Sequence, residues 1–468
     1  MTLTQIFVFG ALGLAAGRFY KQINRGWLLF VASVLAVFLL QPASLIRNLP
    51  FLLPVASLGL AAAVWALTLP KETKVSRQDW WAAGTLAVLV LLVSAARFVD
   101  PLSSLFAVRP PALDFAAICV LVVLLLGLSI YRVGRGKNLG LHFTVLLIIV
   151  VLVVLKSPPL AQAASGFLRL LTGQDPALAS PLDFGWLGFS YIAFRLVHVL
   201  RDRAVGRLPQ VSLHDFVTYI VFFPSLTSGP IDRVERFTPQ LQGEFLLGND
   251  QLFIAGRRLV IGLFMKFVLA DALAFFALNA TNAWQVKSAG WMWILLIAYS
   301  FRIFFDFAGY THIAIGLGLM FGVLLPENFN QPYLKSSITA FWNSWHMTLT
   351  QWVRSYYFNP VTRWLREHKA PMLAVIFLGQ LTTMTLIGLW HGITWNFVTW
   401  GLWHGVGLFI HNQWSNFAKT RSAAIPASIT SPLGILVTFA YVTLGWVWFA
   451  LPHPADAAHV FSVLFGGS

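Results

Sequence analysis

Long apolar blocks separated by short polar loops set the rhythm of this 468-residue chain. Trp27–Leu40, Phe51–Leu69, Ala116–Ile130 and Val145–Leu155 run without the in–out alternation of barrel strands, so they read as helices. The first seven apolar spans fall at about 3–17, 27–40, 51–69, 80–96, 113–130, 142–155 and 184–200. Several are shorter than the ~20 residues of a full helical crossing, so tilt or local thinning is expected. Beyond residue 210 the rhythm changes. Phe216–Leu226 is too short to span and runs into Gly229-Pro230 and the charged cluster Asp232, Arg233, Glu235 and Arg236. That pattern predicts a re-entrant or interfacial turn followed by a polar loop. Spans resume at about 253–279, 291–305 and 307–325. An amphipathic stretch, Ile338–Trp364, follows, and spans at about 372–390, 393–411 and 433–450 close the chain, with 421–432 as a late loop. The expected fold is an all-α integral membrane protein, a polytopic bundle of about ten to thirteen spanning or re-entrant helices. No repeat or long linker divides it, so residues 1–468 are expected to form a single transmembrane domain.

Composition agrees: 58% of the residues are hydrophobic and only 10% charged, against roughly 25% charged in soluble domains. The net charge of +15 does not point to nucleic acid, because the basic residues sit in short loops and form no stripe. Membrane lipid and topology control account for them better. Loops 18–26 (Arg18, Lys21, Arg25), 71–79 (Lys71, Lys74, Arg77), 131–138 (Arg132, Arg135, Lys137) and 201–209 (Arg201, Arg203, Arg207) carry three basic residues each. The loops between them carry one or two: Arg47, then Arg97 and Arg109, then Lys156 and Arg169. By the positive-inside rule the triple-basic loops are cytoplasmic and the N-terminus is outside. No cleavable signal peptide is expected, since the first charges follow the first apolar stretch. The one cysteine, Cys119, excludes an intramolecular disulfide or cysteine metal cluster and reads as a packed core residue.

The chemistry concentrates between Phe341 and His411. His346 stands among Trp342, Trp345 and Trp352, with Thr350 and Arg354 on its side; the plain alternative is a helix lying flat at the bilayer interface. His391 ends a long apolar run in Leu-Trp-His-Gly, where Gly392 relaxes the backbone and a second helix begins. A buried neutral imidazole able to meet a hydroxyl suits a general base; a core histidine bonded to a carbonyl is the equal alternative. The Leu-Trp-His-Gly pattern recurs at His404, thirteen residues on. On a straight helix that spacing is a rotation of about 220°, so only one of the two histidines should line a shared cavity, and His404 reads as packing. Arg302 and Asp306, four apart, are expected to neutralise each other on one helix face, with Gly309 admitting a close neighbour. His198, His214 and His312 read as structural. No H-E-x-x-H, Walker A, G-x-S-x-G or G-x-G-x-x-G pattern is present, so no metal site and no nucleotide, flavin, haem or nicotinamide cofactor is expected.

Five stretches in order resemble the membrane-bound O-acyltransferase family, in its bacterial branch that modifies cell-surface polymers. They are FFPSLTSGPIDRVERF (222–237), FFDFAGYTHIAIGLGLMFG (304–322), ENFNQPYL (327–334), FWNSWHMTLTQWVR (341–354) and LWHGITWNFVTWGLWHG (389–405). The resemblance covers a core at about 185–411, leaving variable N-terminal helices in 1–180 and a C-terminal loop and helix in 412–468. It implies a central tunnel through the inner or plasma membrane of a bacterium. An acyl thioester, acetyl-CoA or an acyl carrier protein, would enter from the cytoplasm as co-substrate, with no bound cofactor. A polysaccharide or other polymer hydroxyl would enter from outside, with an extracytoplasmic acyltransferase as a further candidate partner. It implies His391 as the catalytic base and His346 as its polar partner, holding the acceptor or stabilising the oxyanion. Asn343, Trp345, Arg354, Trp390 and Asn396, with Arg302 and Asp306, are expected to support them or line the tunnel. Two departures bear on the acceptor: Ser355 and Tyr356 follow Arg354 where relatives commonly have Asp-Tyr, and His312 stands where alginate-type members carry an acid. FWNSWHMTL and FFDFAGY look closer to teichoic-acid D-alanylating members, ENFNQPYL and TWNFVTWGLWHG to polysaccharide O-acetylating ones. Acetyl transfer to an exported polysaccharide leads, D-alanyl transfer to teichoic acid is the alternative. A transporter with a histidine proton relay is the reading from another class, weakened by the absence of inverted repeats.

Overall fold

Each of the first seven apolar spans folds as a helix in the computed structural model, which describes residues 1–19, 24–134, 137–243, 245, 247–420 and 427–466. In chain order they are α1 (Leu3–Phe19), α2 (Arg25–Leu39), α3 (Leu49–Thr68), α4 (Arg77–Ala95), α5 (Leu113–Ser129), α6 (Asn138–Lys156) and α8 (Phe189–Ala204), with an amphipathic helix outside the predicted spans, α7 (Pro158–Leu171), before the last. Local chemistry sets the starts: Asn24 accepts from the Trp27 amide, and Ser76 with Asp79 forms a reciprocal capping box. None of the described residues is in a strand. Among the described residues seven helices are long and apolar enough to cross a bilayer, and α1 and α2 add shorter apolar ones. The chain is a multi-pass, all-α membrane protein. Lys21 and Arg135, two of the loop charges, lie outside the described residues.

The chain divides into two compact units, Met1–Arg258 with Ile313–Leu325, and Leu259–His312 with Pro326–Ser468. In the first, α3 is the inner element. Two thirds of its apolar window is buried (67%), against 6% for Leu113–Gly134 and 11% for Asn138–Lys156, so those two helices present their side chains to lipid. An apolar cavity of about 140 Å³ between α3, α4 and α5 touches none of the candidate site residues. The predicted re-entrant turn is α9 (Leu213–Val221), with all nine residues buried. Its C-terminal carbonyls would be costly orphans there. Arg195 of α8 meets them, donating to the carbonyls of Tyr219 (3.0 Å) and Ile220 (2.8 Å) and to Ser225 Oγ (2.6 Å). The charged cluster opens α10 (Val234–Gln242), and α11 (Asn249–Phe264) follows.

In the second unit the spans predicted at 291–305 and 307–325 are part of one helix, α12 (Ala289–Met320), whose last turns belong to the first unit. Asp306 lies inside it, half-exposed and paired with Lys266 of the π-helical turn Met265–Ala270. Gly309 lets that turn come close: a Cβ there would stand 2.8 Å from the Lys266 amide nitrogen. The amphipathic stretch is broken into α13 (Ile338–Trp342), α14 (Met347–Val353) and α15 (Asn359–Glu367). The chain ends in α16 (Met372–His391), α17 (Trp395–Thr420), α18 (Ala427–Ala450) and α19 (Pro454–Leu464). Of the late loop expected at 421–432, residues 421–426 lie outside the described set and the rest is the start of α18. The α16–α17 hairpin is built on glycine: a Cβ at Gly388 would stand 2.1 Å from the Phe397 carbonyl, and one at Gly401 2.6 Å from that of Met384. Interhelical packing in lipid relies on such close backbone approach.

Candidate active site

His346 does not lie on the face of an interfacial helix. It occupies the break between α13 and α14, buried to 3% exposure, in the left-handed conformation (φ 44°, ψ 54°). A non-glycine residue there costs on the order of 1 kcal/mol and is held by its surroundings. The holder is Asn328. Its carbonyl accepts from the Met347 amide (2.9 Å), and its fully buried side-chain oxygen accepts from Thr348 Oγ1 (2.7 Å) and the Thr348 amide (3.3 Å). A backbone N–H can only donate, so it fixes which end of the Asn328 amide is oxygen. His346 Nδ1 lies 3.3 Å from that same oxygen and must therefore carry the ring proton. Burial also pushes the imidazole toward its neutral form. What remains is Nε2, a lone pair buried with no protein partner.

The ring of Trp390 neighbours both histidines, 6.3 Å from His346 and 4.5 Å from His391 by ring centroids. His391 is the last residue of α16, and its ring sits among Phe397 (5.9 Å), Trp400 (5.7 Å) and Phe449 (4.7 Å). Gly392 needs no special backbone freedom, because its φ of −178° is ordinary extended chain. The requirement is space: a Cβ there would meet the Phe397 ring at 2.8 Å. The break at Gly392 also removes the premise of a single straight helix through His391 and His404. Both histidines touch Trp400, yet His404 is fully buried in a cage with Trp342, Trp400 and Trp446.

The remaining expected residues separate into layers. Trp345, 5% exposed, backs the histidines through Phe329 and Trp446. Phe307, next to Asp306, meets the His346 ring edge-on at 4.7 Å. Asn396 is buried and ties the start of α17 to the end of α18 by donating to the Leu451 carbonyl at 2.7 Å. Arg354 and Asn343 are exposed and bond each other at 2.6 Å across the α13–α14 break. The Arg302–Asp306 pair expected from spacing does not form; Asp306 takes Lys266 instead. Sequence reasoning missed Asn328 and Lys266. Asn328 was visible as part of ENFNQPYL, but nothing in its spacing signals a bond to His346. His198, read as structural, gains two carboxylate neighbours, Asp202 and Glu235; the four-residue spacing to Asp202 was the available signal.

The chain is similar to several known membrane proteins. The model of the membrane-bound O-acyltransferase family matches residues 60–446. A teichoic acid D-alanyltransferase of Bacillus subtilis is 33% identical over 271 residues, which is 57% of this chain and 68% of that protein. A probable alginate O-acetylase of Pseudomonas aeruginosa is 33% identical over 280 residues, 60% of this chain and 51% of that protein. A peptidoglycan O-acetyltransferase of Helicobacter pylori is 32% identical over 259 residues, 54% of this chain and 46% of that protein.

Proposed function

The chain belongs to the membrane-bound O-acyltransferase family and is a multi-pass membrane O-acyltransferase; from that premise we propose that it passes an acetyl group from a cytoplasmic thioester to a hydroxyl of an exported cell-surface polysaccharide. The observation that carries this reading is the paired imidazoles around Trp390, one at a helix break and the other buried and neutral with a bare Nε2. His391 takes the proton of the acceptor hydroxyl as its oxygen attacks the thioester carbonyl. The tetrahedral intermediate collapses, the C–S bond breaks, and the imidazolium returns the proton to the leaving thiolate. His346 has spent its only N–H on Asn328 and cannot donate to an oxyanion. Its Nε2 instead accepts a hydrogen bond from a neighbouring sugar hydroxyl and so orients the acceptor. These steps use proton transfer alone, with acetyl-CoA or an acyl carrier protein as co-substrate and no bound cofactor. The aromatic wall of Trp390, Phe397, Trp400 and Phe449 favours a small uncharged acyl group. The four triple-basic loops support a bacterial cell-membrane orientation with the N-terminus outside, donor in the cytoplasm and acceptor beyond the membrane.

D-alanyl transfer to teichoic acid is the second reading. It is favoured by the greater share of the teichoic-acid enzymes' length that this chain covers, 68% and 77% for the proteins of Bacillus subtilis and Streptococcus thermophilus. One experiment separates them: mass spectrometry of surface glycan and teichoic acid from a deletion strain complemented with the parent or with His391→Ala. Loss of glycan acetyl groups in the deletion, unrestored by His391→Ala, is expected, at a cost of at least about 10²-fold in transfer. Loss of D-alanine with acetyl groups intact overturns the acetyl assignment. Full complementation by a membrane-inserted His391→Ala protein removes His391 as the base.

A further inference from the structure

The first unit contains a second chemical cluster that acyl transfer does not use. His198 of α8 is fully buried, and its Nε2 lies 3.0 Å from Asp202 Oδ2, one turn along the helix, and 3.3 Å from Glu235 Oε2 on α10. On the far side of the ring Nδ1 is 3.2 Å from the Tyr219 hydroxyl, which itself donates to the Asp232 carbonyl at 2.9 Å. A phenol has one proton to give, so the His198 contact is Nδ1–H donating to the phenolic oxygen. Nε2 therefore points its lone-pair direction at two carboxylates. Three electron-rich atoms this close repel one another unless a cation lies among them.

That cation is either a proton on Nε2 or a metal ion, and three features favour the metal. One ligand atom from each of the three residues falls within 4.8 Å of the others, and the two N···O separations, 3.0 and 3.3 Å, are short. Donors bonded at ~2.0–2.1 Å to a tetrahedral ion stand about 3.3 Å apart. Tyr219 and the Asp232 carbonyl supply the outer hydrogen bond that orients a ligating imidazole. Finally, Glu235 divides its oxygens. Oε1 faces Arg233 at 3.8 Å, while Oε2 faces His198. The Glu235 side chain is 43% exposed, which leaves an approach and a fourth position for water.

We propose that His198 Nε2, Asp202 and Glu235 bind a divalent transition metal of the zinc type, which pins the charged segment after the re-entrant turn to α8. One imidazole with two carboxylates suits zinc or manganese; magnesium and calcium favour all-oxygen shells. The test uses the full chain in detergent, stripped with EDTA and titrated with ZnCl₂, with MgCl₂ as the control. One zinc per chain by elemental mass spectrometry and a zinc-dependent rise in melting temperature are expected, with no response to magnesium. His198→Gln and Glu235→Gln should each weaken zinc binding at least tenfold. Glu235 is the safer variant, because its exposed position spares the fold, and size-exclusion chromatography checks this. Equal zinc retention by parent and Glu235→Gln overturns the site, as does a parent melting temperature indifferent to zinc. The trio is then an imidazolium held by two carboxylates.

Discussion

In the first unit, buried His198 stands against two carboxylates and a tyrosine; in the second, buried His346 stands against an amide oxygen and the rings of Phe307 and Trp390. Both imidazoles carry their proton on Nδ1, held by a neutral oxygen. The difference lies at Nε2. Around His198 two carboxylates favour a positive charge, whereas His346 Nε2 is buried near the rings of Phe307 and Trp390, and burial pushes that imidazole toward its neutral form. The contrast extends outward. The first unit also uses Arg195 on backbone carbonyls and Arg169 on Asp183 to hold its polar loops. The second closes over its histidines with tryptophan and phenylalanine and with glycine contacts in the α16–α17 hairpin. Charge networks suit a part that must be fixed; a neutral aromatic lining suits a base that must give up a proton as readily as it takes one.

The comparison breaks most visibly at Arg195. Replacing it by Met keeps bulk but leaves three buried carbonyls, of Tyr219, Ile220 and Ser225, and Ser225 Oγ without their donor. The expected cost is about 3 kcal/mol, since each buried acceptor left without its donor costs roughly 1–3 kcal/mol. In detergent this reads as a large drop in melting temperature or failure to insert. A change within about 1 kcal/mol means the re-entrant turn does not depend on Arg195.

Asn328→Ala addresses the other side. It removes the oxygen that fixes the His346 tautomer but touches no aromatic ring contact of His391. Acyl transfer is expected to fall by about 10- to 100-fold, the range seen when partners that orient a functional imidazole are lost. Asn328→Asp keeps an acceptor at Nδ1 and should recover part of the rate. Equal rates for the two variants would mean that His346 orientation is not set by this oxygen.

The helices and the helix end at His391 were legible because hydropathy and breaks are local. Apolar length gave the spans, and Leu-Trp-His-Gly marked a helix end. What was not legible depends on partners distant in sequence. Lys266 pairs with Asp306 from forty residues away, inside one helix that read as two. Asn328 reaches His346 across eighteen residues of irregular chain with no periodicity to betray it. Glu235 reaches His198 from a different helix. Gly392 was read as a backbone hinge, yet its cause is the Phe397 ring against it, a packing fact that only the folded hairpin creates.

The smallest expected effect is a pH slope from the charge-held side. Asp183 Oδ2 accepts from Ser165 Oγ (2.6 Å), from Arg169 Nε (3.1 Å) and Nη2 (2.9 Å), and from the Ser180 amide (3.3 Å). Burial pushes this carboxyl up, but those four donors and the Arg169 charge prevail and hold it below its ordinary value of 3.8. As pH falls, the unfolded chain therefore takes up the proton before the folded one does. Between the two pKa values the unfolded state binds more protons, so stability rises with pH there. The contribution is complete above about pH 4 and is lost as pH falls through the folded value, with a slope of at most about 1.4 kcal/mol per pH unit for one proton. Asp183→Asn cannot titrate. It should start lower at neutral pH, because Arg169 is left buried beside a neutral amide, and its acid limb should be shallower by that one-proton slope. Melting curves of the two proteins from pH 6 to pH 3 read the difference (a range chosen on the linkage argument above). Parallel acid limbs would show that this carboxylate, although buried among donors, is not one of the charges on which the first unit depends.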